Sequence, residues 1–389
     1  MTMSQQSNAA DWNTADVLRD YEIICLSRQA SLLGRKEVLS GKAKFGIFGD
    51  GKELAQVAMA RVFNKGDWRS GYYRDQTVMM ALDQLTTKQF FAQLFADTNV
   101  KNDPASAGRQ MNNHFSTRLL DDNGEWLDQL AQPNTSSDIS PTGGQMARLV
   151  GLAYASKLYR ENKRLHPYSR FSKTGNEIAF GTIGNASTSE GLFWEAMNAA
   201  GVLQIPMLMS VWDDDFGISV HARYQTTKQS ISKIMAGFGF EKDLNGITIH
   251  TVKGWDYPAL IETYRKAAEQ CRTHHIPQLV HVIEMTQPQG HSTSGSHERY
   301  KSKDRLKWED DFDCIARMKS WILAQKIATE SQLDKIERDA AARVETSKSE
   351  AWDDYVKPLE AERDEAVQLL RDFGGKVNRE DSAKNSPRS

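Results

Sequence analysis

From residue 176 onward the chain repeats one unit: a short apolar run, an amphipathic stretch, then another apolar run. The apolar runs are "EIAFGTI" at 177–183, "MLMSVW" at 207–212, "ITIHTV" at 247–252 and "PQLVHVIEM" at 277–285. Between them lie "SEGLFWEAMNAAGVLQ" at 189–204, "KQSISKIMAGFGF" at 228–240 and "YPALIETYRKAAEQCRTH" at 257–274. Runs without a polar alternation are strands buried on both faces, and parallel strands need a crossover between them. The alternation therefore predicts an α/β fold, a parallel sheet covered by helices on both faces.

Upstream, residues 16–39 read as a helix stopped by Gly41. Further helices are expected over 52–63, 86–97 and 143–162, with a loop-rich segment at 98–139. Beyond residue 302 the pattern becomes helical and highly charged, and Pro358 is expected to break or kink it. Residues 1–14 read as a disordered start, 15–325 as the main domain, 326–374 as a charged helical extension and 375–389 as a disordered tail. With 389 residues the chain has ample material for a core.

A net charge of −2 gives no electrostatic reason to expect nucleic acid or an anionic membrane as a partner. No apolar run approaches the ~20 residues of a membrane span. The first residues, "MTMSQQSNAADWN", lack the basic start and apolar stretch of a signal peptide. Three cysteines, Cys25, Cys271 and Cys314, lie too far apart for a metal or redox motif and suit a reducing cytoplasm. The sequons at Asn134 and Asn185 then carry no glycan.

Two of the expected strands end in side chains that hold metals and phosphates. "GNASTS" follows the first and "DDD" the second. In an open parallel sheet, ligands sit beyond the carboxyl ends of the strands. A helix beginning near Ser187 would aim free N–H groups at the same crevice, which favours a phosphate. Asn185, a carboxylate of 213–215 and phosphate oxygens together make an all-oxygen site suited to Mg²⁺. The plainer reading is that Asn185 and Ser187 cap a helix and the aspartates form a solvated turn.

The stretch "GNASTSEGLFWEAMNAAGVLQIPMLMSVWDDDFGIS" resembles the thiamine diphosphate motif of 2-oxo acid dehydrogenase α subunits. Gly191, Glu195, Asn198, Ala200, Pro206 and Gly217 fall in place without a gap. The motif's acidic metal ligand lands on Asn185 and its ligating amide on Asp214, so amide and carboxylate have changed places. The third ligand, a backbone carbonyl, lands on Phe216. The resemblance covers roughly 15–325 and is closest to branched-chain members, on "GRQMNNHF" at 108–115. It implies that Tyr73, Arg74, Ser140, Thr142, Gly184, Ala186, Ser187 and His291 contact the cofactor, with His291 on the diphosphate. Thr286 and Gln287 stand where the family carries a Tyr-Arg, and Gly144 replaces a threonine of a cation site.

The implied activity is oxidative decarboxylation of a 2-oxo acid, branched-chain or pyruvate, with acyl transfer to lipoyl on an acyltransferase partner. The glutamate that activates the cofactor belongs to a β subunit or fused β half. The chain is therefore expected to be inactive alone, to work in a heterotetramer, and to form a homodimer when isolated. The alternatives are a non-oxidative thiamine diphosphate enzyme and a non-catalytic cofactor-binding homologue. Three further features read as structural. "GDGKE" at 49–53 is a weak phosphate-loop lookalike and is taken as a helix cap. His114 is equally a core residue or a site residue. The pair at 274–275 is taken to meet a helix dipole.

Overall fold

The computed structural model describes residues 12–384; the expectations for 1–11 and 385–389 lie outside them. The Asn13 side chain caps α1 (Thr14–Leu39), accepting from the N–H groups of Ala15 and Asp16 at 3.0 and 3.3 Å. Trp12 packs against Tyr257 and Trp321, with ring centroids 5.5 and 5.1 Å apart. Residues 12–14, read as part of a disordered start, are thus held in place.

Next come α2 (Glu53–Ala60), β1 (Trp68–Ser70), α3 (Gln76–Ala81) and α4 (Thr87–Leu94). Thr86 and Gln89 close a capping box at the start of α4, satisfying two free N–H groups reciprocally. After β2 (Asn134–Thr135), α5 (Gln145–Glu161) leads into β3 (Ala179–Gly184), α6 (Gly191–Leu203) and β4 (Met207–Trp212). A small antiparallel hairpin, β5 (Phe216–Gly217) with β6 (Val220–His221), precedes α7 (Ile231–Ile234). Then come β7 (Thr248–Lys253), α8 (Tyr257–His274) and β8 (Gln278–Ile283). The chain continues into α9 (Lys303–Asp311), α10 (Cys314–Ala324) and α11 (Glu330–Lys384).

Six strands form one sheet in the order β2-β1-β3-β4-β8-β7, every pairing parallel. Alternate residues of each strand enter different cores, as the period of two requires. Phe180, Leu208, Trp212 and Val280 face the core built with α1, α2, α8, α10 and α11. Ala179, Ile183, Met207, Met209, Val211 and Leu279 face a second core with α5, α6 and α7. Each such fully buried large side chain contributes about 1.5–3 kcal/mol by leaving water, so both faces must be covered.

Four expectations need correcting. The helix read over 228–240 is only the four-residue α7 between two 3₁₀ turns, because Lys228 takes φ +62°. A helix read as starting near Ser187 starts at Gly191, after a 3₁₀ turn at Ala186–Ser189. Pro358 does not end α11, which runs on to Lys384. The carbonyl that the proline leaves unpaired is that of Asp354, which is only partly buried, so water can satisfy it. Finally, residues 375–384, read as part of a disordered tail, lie within α11. The loop-rich segment 98–139 is tied down by buried Phe115 and by polar bonds. Asn112 and Asn113 both donate to the Ile47 carbonyl, at 2.9 and 2.7 Å, and the Phe115 N–H donates to Asp138 at 3.0 Å.

Candidate functional site

β3 and β4 end level with each other. Gly184 and Trp212 are register partners, so Asn185 and Asp213 leave the sheet side by side. The Asn185 N–H donates to the Trp212 carbonyl at 3.1 Å, which locks the two turns together. Beyond them lies a cavity of about 610 Å³, within the size range of small-molecule sites. Of the sequence-derived residues, Tyr73, Arg74, Thr142, Gly184, Asn185 and Ala186 line it, as do Ser187, Asp214, Phe216 and His291. Ser140 is not brought to the cavity. Its hydroxyl bonds the His114 imidazole at 3.1 Å, and His114 is buried and serves that packing role.

The Tyr73–Arg74 turn is held from beneath by a fully buried ion cluster. Arg69 donates to Asp75 at 2.8 Å and to Asp138 at 3.1 and 3.2 Å, and its own side chain has no exposure. Asp75 also accepts from Thr182 on β3 and, at 3.4 Å, from the Trp212 indole N–H on β4. Gly71 must be glycine here, since a Cβ would stand 2.1 Å from the Asp75 carboxylate. Arg74 itself donates to the Phe48 carbonyl at 2.6 Å and the His291 carbonyl at 2.8 Å, tying two loops at the cavity wall.

The three aspartates diverge. Asp213 accepts from the Asp215 N–H at 2.9 Å and bonds His281 at 2.9 Å. Asp215 pairs with Arg305 at 2.6 Å. Only Asp214 lines the cavity, and there it meets a group that the sequence had assigned to capping. The Lys52 ammonium donates to Asp214 Oδ2 at 2.9 Å and to the Thr286 carbonyl at 2.6 Å. Burial alone would raise the Asp214 carboxyl; the adjacent Lys52 charge outweighs it and holds the group below the usual carboxylate range. Lys52 sits at the N-cap of α2 but makes no side-chain cap bond.

His291 is not a cation in this setting. Burial, reinforced by the Arg74 charge, lowers it to about 4, so at neutral pH it is a neutral imidazole with one N–H to donate. His275, read as a dipole partner, is likewise lowered to about 4 by burial, and its Nε2 bonds the Gly175 carbonyl at 3.0 Å. Its role is that hydrogen bond, not a charge. Lys301 also lines the cavity and pairs with both oxygens of Glu309 at 2.7 and 2.9 Å; burial lowers it below the ordinary lysine value despite that partner.

Sequence reasoning missed Lys52 and Lys301, and met Gln287 only as a departure from the family. Gln287 is 3% exposed, lines the cavity, and has neither amide atom bonded. The Asn185 Nδ2 and the Thr286 hydroxyl are also buried without a partner. The only available signal was the pair of glycines flanking Asp50, which permits a turn too tight for other residues.

The arrangement fits an anionic, polar ligand: Lys52, Arg74 and Lys301 supply positive charge, and buried donors await acceptors. It fits a divalent metal poorly as it stands, because Asp214, the one carboxylate lining the cavity among the described residues, already carries an ammonium. Among the described residues no helix is long and apolar enough to cross a membrane.

Residues 23–360 match the model of the family described as dehydrogenase E1 component. The chain is 25% identical over 316 residues to the 2-oxoisovalerate dehydrogenase subunit alpha of Bacillus subtilis, covering 81% of this chain and 83% of that one. It is 25% identical to the mitochondrial 2-oxoisovalerate dehydrogenase subunit alpha 1 of Arabidopsis thaliana, covering 72% of this chain and 52% of that one. It is 24% identical to the mitochondrial pyruvate dehydrogenase E1 component subunit alpha of Dictyostelium discoideum, covering 77% and 68%.

Proposed function

The chain belongs to the dehydrogenase E1 component family, and from that premise we propose that it is the α component of a 2-oxo acid dehydrogenase. Its substrate is a branched-chain 2-oxo acid or pyruvate, the two substrate classes named among its relatives. The observation that carries the reading is the pair of register-matched strand ends, Gly184 and Trp212, followed by Asn185 and Asp214 and opening on a cation-lined cavity.

When bound, thiamine diphosphate supplies the nucleophilic carbon and the electron sink for decarboxylation. This chain's part is to hold it. Arg74 and Lys301 attract the diphosphate, and neutral His291 donates a single N–H to it. The unpartnered Asn185 and Gln287 amides offer further hydrogen bonds. Tyr72, Tyr73, Phe216 and Tyr300 form ring walls that exclude water, which strengthens each of those contacts. Asn185, Asp214 and the Phe216 carbonyl are the proposed metal set, but with Lys52 on Asp214 they do not fit Mg²⁺, and no step is routed through it. Asp214 is the one carboxylate lining the cavity among the described residues. The acid that activates the cofactor is therefore proposed to come from a β subunit, and the acyl acceptor from a lipoyl acyltransferase.

The test is reconstitution with a β-type subunit, measuring 2-oxo acid-dependent reduction of an artificial electron acceptor. Activity should require both chains and thiamine diphosphate. Decarboxylation by this chain alone would sink the proposal in favour of a non-oxidative enzyme. Without its partner the chain is proposed to self-associate as a homodimer, because obligate interfaces are large and apolar. Light scattering that finds a monomer at micromolar concentration would oppose this. A cytoplasmic location is proposed from the three free, buried thiols.

A further inference from the structure

Lys52 holds Asp214, one of the three groups that the resemblance gives to a divalent metal. Its ammonium holds the two kinds of oxygen such a metal would use, a carboxylate (Asp214) and a backbone carbonyl (Thr286). An ammonium has three donors in all. Two are spent on those oxygens, and the residue lines the cavity, so the third is left for a ligand.

The turn is shaped for this placement. Gly51 takes φ +83°, and a Cβ there would lie 2.1 Å from the Thr286 carbonyl. Asp50 accepts from the Gln289 N–H at 2.9 Å and fastens the turn to the loop that carries Thr286 and His291. A buried ion pair that merely braced the turn would need no open donor beside it. Here the Asn185 Nδ2 is buried without a partner on the same wall. A metal needs lone pairs, whereas this wall presents N–H groups, which suit phosphate oxygens. The two departures from the family pattern, an amide at 185 and a lysine on Asp214, act in the same direction.

We propose that the Lys52 ammonium replaces the divalent metal and anchors the diphosphate of thiamine diphosphate directly, so that this chain binds the cofactor without Mg²⁺. The inference rests on the cofactor reading given above.

Calorimetric titration of the full chain with thiamine diphosphate, once in EDTA and once in excess Mg²⁺, separates the two. The expected dissociation constants agree within about twofold, a difference well under 1.4 kcal/mol. Lys52→Met should weaken binding in both buffers by about 30-fold or more, the usual cost of removing a desolvated charge partner. Binding seen only with Mg²⁺ overturns the replacement and leaves the cofactor reading standing. Binding in neither buffer overturns the cofactor reading, and the replacement with it. Should Lys52→Met fail to fold, the wild-type chain still decides the matter. Mn²⁺ added with thiamine diphosphate and the chain should lose no more of its free-ion paramagnetic resonance signal than with thiamine diphosphate alone, and a further loss stoichiometric with the chain overturns the proposal.

Discussion

The turn after β4 and the loop after β8 border the same cavity and are built in opposite ways. In the turn every carboxylate has a partner within the chain: His281 for Asp213, Lys52 for Asp214, Arg305 for Asp215. In the loop, the Thr286 hydroxyl, both Gln287 amide atoms, the Gln289 Nε2 and the His297 Nδ1 are buried with none. Unsatisfied buried polar atoms cost about 1–3 kcal/mol each. The turn is a finished structure; the loop keeps buried polar atoms open, as the proposed ligand site requires. Rigid placement and ligand response are thereby divided between two walls of one site.

The largest effect should come from removing the footing of the finished side. Asp75→Ala leaves Arg69 buried with half its charge partners and frees the Trp212 indole. A loss of about 3–5 kcal/mol is expected, read as a lower denaturant midpoint. A change below 1 kcal/mol would show that the strand ends do not depend on this cluster.

Gly51→Ala tests the seam between the two walls. The positive φ and the close Thr286 carbonyl should together cost about 1–3 kcal/mol, and cofactor affinity should fall as Lys52 shifts. Unchanged affinity in a folded variant would mean that the turn does not set the position of Lys52.

On the unfinished side, amide hydrogen exchange across 286–301 should slow when thiamine diphosphate is added. At a hundredfold excess over Kd the gain is at most about 2.7 kcal/mol. Residues 213–217 should change less, and equal changes in both segments would erase the distinction drawn here.

An effect of pH, absent at neutrality, comes last. His275 is lowered to about 4 in the folded chain, against about 6.5 unfolded. The unfolded state therefore binds more protons between those values, and stability is lost as pH falls through that window. His275→Gln should flatten this part of the curve, and His291 adds to the same slope. A slope identical to wild type would show that His275 is not held neutral.

The half of the sheet from β3 onward was legible in the sequence because its strands are six residues long and, β7 apart, mainly apolar. β1 and β2 were not. They are three and two residues long, and their sequences, "WRS" and "NT", are polar. They are held by Arg69 through aspartates 6 and 69 residues away, which no local pattern reveals. The site divides the same way. Asn185 and Asp214 follow strands that announce themselves, whereas Lys52 meets its partner across 162 residues of chain. Gln287 drew notice only as a departure from the family, because an unpaired amide is a property of surroundings, not of spacing.

Helix α1 is packed against the last helix of the molecule. The Tyr21 hydroxyl donates to Glu337 at 2.5 Å across 316 residues, and Leu333, Ala340 and Val344 of α11 share a core with Tyr21 and Ile24. At a synthesis rate of about 5–20 residues per second, α1 emerges roughly 15–60 s before its partner exists. Throughout that interval the side of α1 that meets α11 has no native cover. The nascent chain is therefore exposed longest at its beginning, and chaperone engagement on the ribosome should concentrate there until α11 has been made.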